Sequence, residues 1–128
     1  ASGGLAFGGP VLLLALFAFC WISGFDIIYG LLDIESDRAT GVRSIPAALG
    51  SRGAQVVAAV VHLVAVAAAV WLWRLVGSGV LSGIALLVTA VGFLAAYWQH
   101  LPVRLRFFPT SAIVGIAASM IPLLGELE

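Results

Sequence analysis

Four long apolar runs, parted by short clusters of glycine, proline, serine and arginine, set the pattern of the chain. They cover about residues 5–32, 54–76, 80–98 and 107–124. Each is long enough, or nearly so, to cross a hydrocarbon core that takes roughly 20 helical residues. Pro10 and Pro109 fall near the starts of the first and fourth runs, where a missing amide donor costs little, and Pro122 ends or kinks the last. Gly77-Ser78-Gly79 predicts a tight turn that makes the second and third helices antiparallel neighbours. The expected fold is all-α and integral to a membrane: four transmembrane helices, with a polar loop of about residues 33–53 between the first two.

Composition sharpens this picture. Of 128 residues, 62% are hydrophobic and 9% charged, and the mean hydropathy is +1.18. A soluble domain this short leaves a large share of its surface outside, so a lipid bilayer is the implied solvent. The single cysteine, Cys20, lies within an apolar run, which excludes an intrachain disulfide and a multi-cysteine metal site. Ala1-Ser2-Gly3-Gly4 has no basic residue before the first run, unlike a signal peptide, and no initiator methionine precedes it. This start predicts that an upstream portion is missing.

Charge then gives orientation. Formal net charge is zero and every basic residue is arginine, which argues against nucleic acid as a partner. Arg38, Arg43 and Arg52 follow the first run, Arg104 and Arg106 follow the third, and Arg74 alone falls at the other end. The positive-inside bias therefore places the 33–53 loop in the cytoplasm, in an inner or plasma membrane. Trp71, Trp73 and Trp98, near helix ends, read as interfacial anchors.

The acidic residues Asp26, Asp33, Glu35 and Asp37 cluster at the end of the first run. At about 100° per residue, Asp33 falls within roughly 20° of Asp26 and Asp37 about 40° further, with Tyr29 on the same side and Glu35 pointing elsewhere. This stripe assumes that one helix persists through Asp37. Carboxylates gathered beside low dielectric are costly, and a divalent cation relieves the repulsion. Hard oxygen ligands with open positions suit Mg²⁺, which completes its shell with water and phosphate oxygens. Arg38, Arg43 and Arg52 add donors for phosphate, Ser44 adds a hydroxyl, and Gly41 and Gly50 let the backbone turn. Asp26, well inside an apolar helix, marks a functional position. His62, with no second histidine at metal spacing, reads as a hydrogen-bonded interior residue, and His100 as a solvated one.

The string Phe25-Asp26-Ile27-Ile28-Tyr29-Gly30-Leu31-Leu32-Asp33-Ile34-Glu35-Ser36-Asp37, followed by Gly41-Val42-Arg43-Ser44 and Gly50, resembles the second aspartate motif of the UbiA-type intramembrane prenyltransferases. It is most similar to the quinone-synthesis branch, which joins a polyprenyl chain to an aromatic acid. The resemblance implies that Asp33 and Asp37 bind Mg²⁺ at the diphosphate of a polyprenyl donor. It sets Arg43 beside the phosphates, and Asp26 and Tyr29 along the cavity. It also implies a nine-helix bundle of which these four helices are the last four. The family's first aspartate motif includes an Asn-Asp pair, which this sequence lacks. The missing N-terminal helices, or a partner membrane chain, are therefore expected to supply it, and this chain alone is expected to be inactive. The alternative is a non-catalytic membrane subunit derived from the same fold.

Overall fold

The computed structural model describes residues 9–127. The expected start of the first span at Leu5 and the leading residues 1–4 lie outside them. Four main helices form, and no strand occurs among the described residues: α1 (Gly9–Tyr29), α3 (Ile45–Leu75), α4 (Val80–Ala95) and α5 (Val103–Leu127). A 3₁₀ turn over Gly30–Asp33 and a short helix, α2 (Ile34–Thr40), join α1 to α3. Helical segments thus occupy most of the expected loop.

Three stretches are long and apolar enough to cross a membrane, Gly9–Thr40, Ile45–Leu75 and Val103–Leu127, while α4 is a shorter apolar helix of 16 residues. Backbone groups in lipid must be satisfied internally, which favours helices throughout. The side chains are arranged for lipid as well. Phe19, Leu63, Leu87 and Leu94 are exposed, whereas α3 buries a row of small residues, Ala54, Ala58, Ala65, Ala68 and Ala69. Small residues at helical spacing let backbones approach where no water drives association.

α1 packs along α3 and α4 along α5, with α1 also touching α5; α3 and α4 share a much lighter contact. The core runs between them through Phe17, Phe25, Leu72, Phe93, Val114 and Ile121. Two close approaches fix α1. At Gly24, an added Cβ would collide with the His62 ring on α3. On the other side, Trp21 lies over Gly115 of α5 and donates its Nε1–H to the Ser111 carbonyl at 3.1 Å.

α5 begins at Val103, earlier than its apolar run, so Pro109 sits inside the helix and not at its start. Proline leaves the carbonyl four residues back without its donor. That carbonyl belongs to Leu105, and the Thr110 hydroxyl donates to it at 3.0 Å. The next residue thus repairs the ladder, which explains how the helix tolerates an internal proline. The earlier start also takes Arg104 and Arg106 out of a loop and into α5, where Arg106 is buried.

Candidate functional site

At one end of the bundle meet the end of α1, the whole of α2, the start of α3, the end of α4 and the start of α5. Arg38, Arg43, Arg52, Arg104 and Arg106 gather there, and Arg74 lies near the opposite end, in the last turn of α3. The expected stripe of carboxylates must be redrawn, because the helix does not persist. Gly30–Asp33 winds as 3₁₀, adding about 20° per residue relative to an α-helix, and Asp33 leaves helical geometry at φ −110° and ψ 10°. Gly30 permits this tightening, since an added Cβ would stand 3.0 Å from Pro46 Cγ. Asp33 becomes the N-cap position of α2, with Asp37 one turn beyond it.

Asp37 is the most firmly placed of the acids. Ser44 donates its hydroxyl to Asp37 Oδ2 at 3.1 Å, and as the N-cap of α3 Ser44 Oγ itself accepts from the Ala47 N–H at 3.1 Å. Between them, α2 ends at Gly41, whose φ of 76° is the left-handed conformation that glycine adopts without penalty. Its N–H returns to the Asp37 carbonyl, so Asp37 is held by both its side chain and its backbone.

Gly50 interrupts α3 with φ 77° and ψ 176°, a conformation open essentially to glycine alone. A continuous helix would fill the Ala47 carbonyl from the Ser51 N–H. Across the bend it is Arg38 Nε that donates there, at 2.8 Å. One edge of the Arg38 guanidinium is therefore anchored to the protein. Asp37, Arg38, Arg43 and Ser44 line a common open hollow of about 330 Å³.

The other predicted residues stand apart. Asp26 faces out of α1 into a small hollow of about 110 Å³ with Trp21, Phe25, Phe107 and Ser111. The Tyr29 ring lies 4.6 Å from that of Phe107 and 5.8 Å from that of Phe108. Asp33 is exposed and caps nothing with its carboxylate. Arg52, grouped by sequence with Arg38 and Arg43, lies past the Gly50 bend and lines a different hollow with Gln55 and Gln99.

The donor set fits a hard cation in part. No three of His, Cys, Asp and Glu converge among the described residues. Two carboxylates a turn apart suit Mg²⁺, whose remaining positions go to water and phosphate oxygens. His62 is interior, as expected, 2% exposed and hydrogen-bonded through Nδ1 to the Tyr97 hydroxyl at 2.6 Å. The Arg106–Gln55–Gln99 cluster carries no spacing signal, because its members come from three segments that only the fold assembles.

The family model for the UbiA prenyltransferase family matches residues 1–106. No curated protein and no solved structure matches the chain.

Proposed function

The chain belongs to the UbiA prenyltransferase family, and from that premise we propose that residues 25–44 bind the diphosphate of a polyprenyl donor, for transfer of the polyprenyl group to an aromatic acid in membrane quinone synthesis. A prenyltransferase-type function follows from the family itself. The observation that carries the finer reading is the pinning of Asp37 by Ser44 beside Arg38 and Arg43, at the end of an apolar bundle.

In this reading Asp33 and Asp37 would hold Mg²⁺, which when bound would supply charge neutralisation for the departing diphosphate. Arg43, exposed on the loop between α2 and α3, offers bidentate donors to phosphate oxygens. Arg38 brings a second guanidinium, its position set by the Ala47 carbonyl. Ser44 keeps the Asp37 carboxylate from swinging away, so that less ordering is needed when the donor arrives. Asp26 and Tyr29 line the cavity wall, where Phe107 and Phe108 keep an allylic carbon away from water. The upstream helices or a partner membrane chain carry the opposing aspartate motif, and the arginine-rich end faces the cytoplasm.

Measuring Mg²⁺-dependent transfer of a labelled polyprenyl group to 4-hydroxybenzoate, in native membranes where the protein sits with the helices or partner chain that carry the opposing motif, tests this function. Transfer lost with Asp37→Asn supports it; transfer unchanged in that variant contradicts it.

A further inference from the structure

Asp26 is an exposed carboxylate within a membrane-spanning stretch, and it has no hydrogen-bond or ion-pair partner among the described residues. Such a group is costly in lipid and calls for a partner of its own. The hollow it lines, about 110 Å³, is built by α1 and α5 from Trp21, Ile22, Phe25, Phe107 and Ser111.

The other side-chain donors of this hollow are already spent. Trp21 donates its Nε1–H to the Ser111 carbonyl at 3.1 Å, and the Ser111 hydroxyl donates to the Phe108 carbonyl at 3.3 Å. What remains is the pair of Asp26 oxygens, which as a carboxylate only accept. A molecule that completes the hollow therefore brings a donor. The rest of it is flat and apolar, because the walls are aromatic and Phe107 is held between Phe25 and Tyr29, at ring-centroid distances of 6.4 Å and 4.6 Å. The space is on the scale of one aromatic ring, since an apolar cavity of about 150 Å³ takes benzene. By helical rise, Asp26 stands roughly 10–12 Å back from Asp33, a separation that a diphosphate and the carbon bonded to it can span.

Resting on the reading of residues 25–44 as the donor site, we propose that the acceptor is a single-ring phenol seated in this hollow, and that Asp26 is the catalytic base for its hydroxyl. The like charge of Asp26 turns the acceptor's own carboxylate away, so the hydroxyl end meets Asp26. As the ring carbon beside the hydroxyl gives its electron pair to the new C–C bond, the allylic C–O pair leaves with the diphosphate and the phenolic proton passes to Asp26. The dienone so formed regains its aromaticity when that proton returns to the oxygen and the alkylated ring carbon gives up its hydrogen, as a proton, to a diphosphate oxygen.

Transfer of a labelled farnesyl group from its diphosphate tests this, in native membranes that hold the protein with its opposing motif, with 4-hydroxybenzoate, 4-methoxybenzoate and 1,4-dihydroxy-2-naphthoate as acceptors. The expected result is that 4-hydroxybenzoate is used at least about tenfold more efficiently than the two-ring acceptor. 4-Methoxybenzoate, which has the ring but no donor, should be neither prenylated nor inhibitory. Asp26→Asn, of the same size, should lower kcat for 4-hydroxybenzoate by at least about 100-fold, as loss of a general base does, while retaining farnesyl diphosphate like the parent. Equal use of the two hydroxyl-bearing acceptors, competition by 4-methoxybenzoate, an Asp26→Asn variant as active as the parent, or one that loses farnesyl diphosphate along with activity would overturn the proposal. A parent that transfers to none of the three contradicts the donor-site reading itself, and this proposal falls with it.

Discussion

Ser44 holds Asp37 through a 3.1 Å hydrogen bond while capping α3 with the same oxygen. A single hydroxyl thus couples the start of a membrane-spanning helix to the placement of a carboxylate seven residues earlier. Replacing it separates the two roles. Ser44→Ala should cost about 1 kcal/mol of stability from the lost cap, read as a lower midpoint of thermal unfolding in detergent. It should also weaken binding of a prenyl diphosphate, whereas Ser44→Thr should restore both.

The bend at Gly50 is the next point of sensitivity. An added Cβ has room, since the nearest atom, Arg38 Nη2, would be 3.6 Å away; the conformation is the obstacle. Gly50→Ala should destabilise the protein by about 1–3 kcal/mol, because the backbone there is open essentially to glycine alone. If the helix straightens instead, the Ala47 carbonyl is taken back from Arg38 and diphosphate affinity falls. Unfolding and binding measurements on the same variant distinguish the two outcomes.

Much of the architecture was legible from Gly41, Gly50 and the four apolar runs, because membrane spans need only length and hydropathy, and left-handed turns select glycine. Three features were not. The helix was expected to continue through Asp37, but whether residues 30–33 wind as α or 3₁₀ depends on Pro46 packing against Gly30, a contact outside the local sequence. The start of α5 was placed too late because Pro109 normally opens a helix, and its compensation by Thr110 is visible only in three dimensions. Arg52 was grouped with Arg38 and Arg43 by proximity in sequence, and the Gly50 bend separates them.

The His62–Tyr97 pair should stabilise contact between α3 and the end of α4. Tyr97→Phe removes the partner of a buried ring nitrogen and should cost about 1–2 kcal/mol, in the range found for hydrogen bonds between membrane helices. Thermal unfolding with a Leu94→Ala control, at an exposed position of α4, gives the comparison.

Gly24 lets α1 come close to the His62 ring of α3. Gly24→Ala should displace the His62 ring and destabilise the bundle by about 1–3 kcal/mol, as overpacking of a dense core does. Circular dichroism during thermal unfolding measures it.

The central claim is that Asp33 and Asp37 bind a prenyl diphosphate through Mg²⁺. The most direct test is retention of labelled farnesyl diphosphate by the protein reconstituted in liposomes, with and without Mg²⁺, for the parent, Asp33→Asn and Asp37→Asn. The account predicts Mg²⁺-dependent retention that drops at least about tenfold in each variant, as loss of a metal-ligating carboxylate requires. Retention that ignores Mg²⁺, or that survives both substitutions, would contradict it.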